Sequence, residues 1–168
     1  MIHVCSLARL HATVADTGAR HIVTLINDQT AVERPASVRA EDHLFLGMHD
    51  IAVVLDGYRA PAEEHVERLI AFVARWPRAA PMVVHCWAGI SRSTAGAFIA
   101  ACALDPRRDE ALIARAIRDA SPTASPNLRL VALADRILAR EGRMIAAVEA
   151  IGRGVECVEG TPFRLDLD

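Results

Sequence analysis

The segment from Met82 to Leu104 constrains the fold of this chain more than any other. It begins with a short, continuous apolar run, Met82–His85, which is typical of a strand buried within a parallel sheet. A loop that contains Gly89 follows, and from Arg92 to Leu104 small and apolar residues form a pattern typical of a buried helix. A strand that runs through such a loop directly into a helix points backbone N–H groups at one spot. The sequence therefore predicts a local anion-binding site at this junction.

The rest of the chain alternates between strand and helix patterns. Further strands are predicted at Ile2–Ser6, His21–Ile26 and His43–Met48. Further helices are predicted at Leu7–Thr17, Pro61–Trp76, 106–120 (with Asp105 as its N-cap), Leu128–Arg140 and Arg143–Ile151. This order predicts an α/β fold in which a central, mainly parallel sheet is flanked by helices, with extra helices at the C-terminal end. We expect one domain over residues 1–168, and the tail from 152 to 168 has no clear pattern.

Composition limits the classes of protein to which the chain can belong. With 52% apolar and 24% charged residues it has the composition of a globular domain rather than a disordered chain. Its net charge of -2 gives no general attraction to nucleic acid or to an anionic membrane, and we expect neither partner. All 19 basic residues are arginine, which excludes Schiff-base and phosphate-binding lysines and suggests a GC-rich genome. The 4 cysteines lack metal-ligand spacing, which favours a reducing, cytoplasmic environment and no metal site.

Cys86 and Arg92 are the residues of the central segment that can carry chemistry. Cys86 lies where the predicted strand ends, so its thiolate would be stabilised by the loop amides and by the positive end of the following helix. Arg92, six positions later, can fold back across the loop, and its planar guanidinium group matches two oxygens of a tetrahedral dianion. Gly89 allows the loop backbone angles that are closed to other residues. This arrangement indicates a cysteine nucleophile.

The order His85, Cys86, five residues, Arg92 and Ser93 resembles the HCX5R(S/T) signature of cysteine-based protein tyrosine phosphatases. The form HCxxGxSRS is most similar to the small dual-specificity branch of that superfamily. Two other segments are also similar to the family: Leu46–Met48 with the following Asp50, and 109–127. The resemblance implies a protein tyrosine phosphatase-like fold and a small bacterial phosphatase that needs no cofactor.

The resemblance implies a role for each residue of the loop. Cys86 would attack phosphorus and form a cysteinyl-phosphate that water hydrolyses, and Arg92 would bind the phosphoryl oxygens. Ser93 would donate a hydrogen bond to the sulfur, and His85 would order the loop and favour the thiolate without transferring a proton. The backbone amides that would bind phosphate belong to Trp87, Ala88, Gly89, Ile90, Ser91 and Arg92.

Two residues outside the loop complete the site that the resemblance implies. Asp50 would protonate the leaving group and then activate water. Asp56 and Asp42 are alternatives for this general acid, because both lie near the same strand and its following loop. Asn127 would support the loop from behind.

Several substrates and functions stay open at this point. The expected partner is a phosphorylated protein, with phosphotyrosine first because aryl phosphates have the better leaving group, and phosphoserine or phosphothreonine also possible. The loop interior from Trp87 to Ser91 has no basic side chain, which disfavours phosphoinositides. The alternatives are a phosphatase of a nucleotide or RNA end, a catalytically silent phosphoprotein-binding module, and a sulfur- or arsenate-handling cysteine enzyme. The sequence makes no prediction of the oligomeric state.

Overall fold

A central sheet of five strands organises the protein, whose computed structural model describes residues 1–167. The strands are β1 (Ile2–Ser6), β2 (His21–Ile26), β3 (His43–Gly47), β4 (Met82–Cys86) and β5 (Phe163–Leu165). Their order is β3-β2-β4-β1-β5, and all neighbours are parallel except β5, which pairs antiparallel with β1. The strand before the predicted anion site, β4, is therefore in the middle of the sheet, and each of its residues is buried.

Helices cover both faces of this sheet, so the predicted α/β class is confirmed. They are α1 (Leu10–Thr17), α2 (Glu63–Ala74), α3 (Arg92–Leu104), α4 (Glu110–Ala120), α5 (Leu128–Ile137) and α6 (Arg143–Ile151). Successive strand residues face opposite sides, and in β4 Val83 joins a small core with α1, whereas Met82 and Val84 join the large core with the other helices. The extra C-terminal helices thus pack on the same face as α3.

The prediction that Asp105 caps a helix beginning at Pro106 is wrong. The helix α4 begins at Glu110, and Asp109 is its N-cap, accepting hydrogen bonds from the backbone amides of Ala111 (2.7 Å) and Leu112 (3.4 Å). Asp105 accepts from the amide of Arg107 instead and forms a turn. Both aspartates suit a cap, but the apolar helical spacing begins only after Asp109, and the buried face decides where a helix forms.

The tail forms an element that the sequence did not predict. In β5 the side chains of Phe163 and Leu165 are buried and that of Arg164 is exposed, and the strand pairs with the free edge of β1. Three alternating residues are too few to be recognised as a strand without the partner edge. In the part of the chain that the structure describes, no helix has the length and apolar character needed to cross a membrane.

The parallel strands place their carboxyl ends at one edge of the sheet. The loops that follow β1, β3 and β4 therefore meet there, as ligand sites of parallel sheets generally do. The backbone amide of Leu7, after β1, donates to the carbonyl of Trp87, after β4, at 3.2 Å. Apart from Asp42, which precedes β3, the site residues predicted from the sequence lie in these loops, at the adjoining strand and helix ends, or at the start of α5.

Candidate active site

The loop from Cys86 to Arg92 turns sharply at Gly89, whose φ of 75° lies in the left-handed region. A Cβ at this position would be 2.8 Å from the backbone carbon of Cys5 and 2.8 Å from the backbone nitrogen of Ser6. Both the backbone angle and the close approach of β1 therefore require glycine. The loop is packed directly against the carboxyl end of its neighbouring strand.

Carbonyl groups of the loop are hydrogen-bonded by donors outside it. The carbonyl of Trp87 accepts from Leu7, that of Ala88 from Gly160, that of Ile90 from Ser125 and that of Ser91 from Asn127, with N···O distances of 3.2, 2.9, 3.0 and 3.3 Å. A trans peptide points its carbonyl and its amide in opposite directions. Because these carbonyls face outwards, the amides of the same peptide groups face the inside of the loop, where they can bind an anion.

Cys86 lies at the floor of this ring of amides and is 2% exposed. Its Sγ atom accepts a hydrogen bond from the amide of Gly89 at 3.3 Å, and the hydroxyl of Ser93 is 3.2 Å from the same atom. Hydrogen bonds to sulfur favour its charged form. The other cysteine at this end of the sheet, Cys5, faces the α1 core, where burial raises the pKa of its thiol to about 12.

Arg92 is the first residue of α3, and its side chain reaches the end of β3. The side chain is almost fully buried, and its Nη1 atom donates to the carbonyl oxygen of Met48 at 2.8 Å. Among the residues that the structure describes, its buried Nε–H has no hydrogen-bond partner. A buried guanidinium donor without a partner is costly unless a ligand accepts from it. The Nε atom is therefore a candidate donor to a bound oxyanion.

Asp50 follows β3, and its carboxylate lies beside Ser91 and Arg92. Its Oδ1 atom accepts hydrogen bonds from the Ser91 hydroxyl and from Nδ2 of Asn127, both at 2.8 Å, and its Oδ2 atom is 3.8 Å from Nε of Arg92. Oδ1 of Asn127 caps α5 by accepting from the amides of Arg129 and Leu130. Asn127 thus connects the start of a helix to the Asp50 carboxylate, while its backbone amide supports the loop.

The other two aspartates considered as general acid lie elsewhere. Asp42 precedes β3, at the opposite end of the strand, where it pairs with Arg39 at 2.7 Å. Asp56 is exposed in the turn before Gly57. The segment from Asp50 to Tyr58 is closed at its base, because His49 donates its amide to the carbonyl of Arg59 and accepts the Arg59 amide at Nδ1. Of the three, the structure brings Asp50 to the loop.

His85 is fully buried beneath the loop, and burial lowers its pKa to about 4, so the ring is neutral near pH 7. Its Nε2 atom is 2.7 Å from the hydroxyl of Thr24 on β2, which is also 2.7 Å from Nε2 of His43 on β3. One hydroxyl can donate to only one of these rings, so the other must donate to it. The contacts fix the ring of His85 across three adjacent strands.

Two further features of the site are its possible metal ligands and its exposed aromatic side chains. The described residues contain no group of three or more His, Cys, Asp or Glu side chains that could bind a metal ion. Trp87 points its side chain outwards and is 60% exposed, beside the entrance to the loop. Tyr58 is also exposed and packs edge-on against His49, with ring centroids 5.0 Å apart.

In a comparison with protein-family models, residues 4–105 match a family described as a polymorphic toxin system DSP-PTPase phosphatase. The match covers more than half of the chain, including Asp50 and the whole loop from Cys86 to Arg92. The chain belongs to this phosphatase family. A comparison with curated proteins gives no match.

Solved structures share the fold of this phosphatase. DUSP15 matches with a TM-score of 0.66 and 16% identity, over 89% of this chain and 89% of that one. PTP-2 phosphatase of Cydia pomonella matches with a TM-score of 0.63 and 19% identity, over 80% of this chain and 84% of that one. A human tyrosine phosphatase-like serine/threonine/tyrosine-interacting protein matches with a TM-score of 0.64 and 16% identity, over 83% and 92%. At such identities the likeness concerns the fold.

Three contacts of the phosphatase site were not predicted from the sequence: Thr24 with His85, Met48 with Arg92, and Ser91 with Asp50. Thr24 reads as an ordinary strand residue, and nothing in its neighbourhood along the chain indicates the contact with His85. The carbonyl of Met48, which accepts a hydrogen bond from Arg92, is a backbone group, so no residue type in the sequence indicates this contact. Ser91 has a partial signal, because a polar side chain inside an amide-lined loop needs a hydrogen-bond partner. Each contact joins residues from different strands or loops and depends on the order of the strands.

Proposed function

We propose that the protein is a metal-independent phosphatase that hydrolyses phosphotyrosine in proteins through a cysteinyl-phosphate intermediate. One observation carries the proposal: the Cys86 sulfur lies inside a ring of amides, with the Arg92 guanidinium and the Asp50 carboxylate at its rim. These are a nucleophile, an oxyanion-binding group and an acid, the three parts that phosphoryl transfer to sulfur requires. The family membership supports the same chemistry.

In the first step the Cys86 thiolate attacks phosphorus, and the bond from phosphorus to the ester oxygen breaks. The leaving oxygen takes a proton from Asp50. The loop amides and Arg92 bind the three remaining phosphoryl oxygens, whose charge they stabilise best in the transition state. Asn127 and Ser91 hold Oδ1 of Asp50, which leaves Oδ2 as the oxygen that carries the proton.

In the second step water attacks the cysteinyl-phosphate. Asp50, now a carboxylate, accepts a proton from this water, and the bond between sulfur and phosphorus breaks to give inorganic phosphate and the thiolate. The Ser93 hydroxyl, 3.2 Å from Sγ, donates a hydrogen bond to the departing sulfur. His85 takes no part in proton transfer and orders the loop through Thr24.

The surroundings of the loop support a phosphotyrosine substrate. Exposed apolar side chains are close in the chain to the two arms of the site: Trp87 next to Cys86, and Val53, Val54, Leu55 and Tyr58 after Asp50. Such side chains can contact an aromatic ring and the neighbouring apolar residues of a protein. The loop carries no lysine or arginine between Cys86 and Arg92, which disfavours a polyanionic lipid headgroup.

The purified full chain is expected to hydrolyse p-nitrophenyl phosphate in a buffer with a metal chelator, and vanadate is expected to inhibit it. Vanadate adopts the geometry that the phosphoryl group has in the transition state, so the loop should bind vanadate more tightly than phosphate. Phosphotyrosine peptides are then compared with phosphothreonine peptides and with a 5′-phosphorylated RNA. Folded protein that binds vanadate without turnover would instead indicate a silent binding module, and preference for the RNA would reassign the substrate.

Asp50→Asn is expected to lower kcat for an alkyl phosphate by about 10²- to 10⁴-fold, the usual contribution of a positioned general acid. The loss should be much smaller for p-nitrophenyl phosphate, because p-nitrophenolate leaves without a proton. Asparagine has the same size as aspartate, but it has no carboxylic acid proton to donate. Initial rates on the two substrates give the measurement.

Asp56→Asn is the matched control, since it removes an equal charge from the same loop. It should leave both rates near those of the wild type. A loss on the alkyl phosphate in Asp56→Asn rather than in Asp50→Asn would assign the acid to Asp56 and contradict the mechanism above.

A further inference from the structure

The segment between α6 and β5, residues 152–162, runs along the outer side of the Cys86–Arg92 loop; we call it the tail segment. It lies outside the part of the chain that matches the family model. The amide of Val155 donates to the carbonyl of Pro122 at 2.9 Å, and the amide of Gly154 donates to the Ser125 hydroxyl at 3.0 Å. Ser125 in turn donates its amide to the carbonyl of Ile90. The tail segment is thus connected to the loop through a neighbouring turn.

Gly160 makes the direct contact with the loop. Its amide donates to the carbonyl of Ala88 at 2.9 Å. The peptide group that supplies this carbonyl also supplies the Gly89 amide, which donates to Sγ of Cys86 at 3.3 Å from the opposite side. Since the peptide group is planar, a hydrogen bond that fixes the carbonyl also fixes the direction of the N–H. The hydrogen bond from Gly160 and the one to Cys86 are thus made by the same rigid group.

A side chain at this position would crowd the loop. A Cβ at Gly160 would be 3.0 Å from the carbonyl oxygen of Gly89 and 3.4 Å from Cγ1 of Ile90. Gly160 is buried between the loop and the turn at Thr123. A larger residue therefore requires the tail segment or its neighbours in the loop to shift by a few tenths of an ångström.

Glu159 holds the adjacent residue in place. Its Oε1 atom accepts a hydrogen bond from the hydroxyl of Ser6 at 2.5 Å and lies 3.7 Å from Nε of Arg9. Ser6 is the fully buried last residue of β1, and its strand partner is Cys86. The tail segment is therefore fixed to the sheet at the same level as the nucleophile.

We propose that Gly160 is a positioning residue of the phosphatase: its amide holds the Ala88–Gly89 peptide so that the Gly89 N–H points at the Cys86 sulfur, and Glu159 anchors it there. The inference rests on the proposed function, in which Cys86 is the nucleophile. It gives the tail a role in catalysis that acts through Gly89 and involves no contact with substrate.

Gly160→Pro removes the donor and is the direct test. With the Gly89 amide no longer held, kcat for p-nitrophenyl phosphate is expected to fall by about 10- to 100-fold, less than the effect of deleting an oxyanion donor outright. Vanadate binding should weaken. Alkylation of Cys86 by iodoacetamide, followed by peptide mass spectrometry because Cys157 is also exposed, should require a higher pH, since a donor to the thiolate is lost.

Glu159→Ala and Glu159→Gln form a second, milder pair. The amide oxygen of glutamine still accepts from Ser6, so Glu159→Gln should keep the wild-type alkylation profile, whereas Glu159→Ala should move it in the same direction as Gly160→Pro. Val158→Ala changes an exposed side chain of the same segment and should have no effect. Circular dichroism establishes that each variant is folded, and the glutamate pair carries the test if Gly160→Pro does not fold.

Unchanged alkylation profiles and vanadate affinities in folded Gly160→Pro or Glu159→Ala would overturn the inference, and so would equal changes in Val158→Ala. These two measurements need no turnover. An inactive wild-type protein would therefore contradict the proposed function and leave the test of Gly160 intact.

Discussion

Cys86→Ser is expected to lower turnover of p-nitrophenyl phosphate by at least about 10⁴-fold, as removal of a nucleophile does in other enzymes with covalent intermediates. The thiolate is the attacking group, and a serine hydroxyl is un-ionised at neutral pH and needs a base to activate it. His85 is a poor base for this purpose, because burial lowers its pKa to about 4 and its Nε2 atom is engaged by Thr24. The variant should thus form no phosphoryl intermediate.

Binding of phosphate or vanadate should survive in Cys86→Ser. The loop carbonyls are held by amides of Leu7, Gly160, Ser125 and Asn127, and none of these bonds involves the sulfur. The loop amides therefore keep their direction when the sulfur is replaced. Isothermal titration with vanadate, together with a single-turnover assay, separates loss of chemistry from loss of the site.

Cys157→Ser is the matched control, because it removes the same atom from an exposed position of the tail. It should leave turnover unchanged. Residual turnover in Cys86→Ser close to that of the wild type would contradict a cysteinyl-phosphate, and combined loss of turnover and anion binding would mean that the sulfur holds the loop together.

The centre of the fold and the site were predictable because their determinants are local. The apolar run of β4, the glycine turn and the small residues of α3 are continuous in the chain, and the structure has a strand at Met82–Cys86 and a helix at Arg92–Leu104. Cys86 and Arg92 lie at the two ends of the loop that joins this strand to this helix. Short-range geometry of this kind needs no knowledge of the strand order.

The parts that could not be predicted depend on distant segments. The strand β5 pairs with the free edge of β1, and the segment before it brings Gly160 to Ala88. The contact of Asn127 with Asp50 spans 77 residues and required the carboxyl ends of β3 and β4 to lie near the start of α5. The helix boundary after Asp105 failed for a local reason, since two aspartates compete as caps and only burial distinguishes them.

Arg92 connects the two arms of the site, and this explains why one side chain can matter for both binding and acid catalysis. Its Nη1 atom donates to the carbonyl of Met48, two residues before Asp50, while its Nε atom lies 3.8 Å from Oδ2 of Asp50. The guanidinium is planar, so fixing one nitrogen at Met48 fixes the direction of the others. The acid segment and the oxyanion donor are thus set by the same group.

Arg92→Lys is therefore expected to lower kcat/KM by about 10³-fold although the charge is kept, a loss comparable to removing an oxyanion donor or a catalytic arginine. The lysine ammonium is a point charge that can bind the Met48 carbonyl or the phosphoryl oxygens, but it cannot present a fixed fork to both. Vanadate affinity should fall together with kcat/KM, which distinguishes this variant from Cys86→Ser.

Arg115→Lys, on the exposed face of α4, is the matched control and should have the activity of the wild type. Circular dichroism and the midpoint of urea unfolding establish that Arg92→Lys is folded, since the buried Met48 carbonyl keeps a donor. Near wild-type activity in Arg92→Lys would mean that charge alone stabilises the phosphoryl group. Because the fork fixes the acid segment as well, the variant should also become less sensitive to Asp50→Asn, so the two substitutions combined should cost less than the sum of their separate effects.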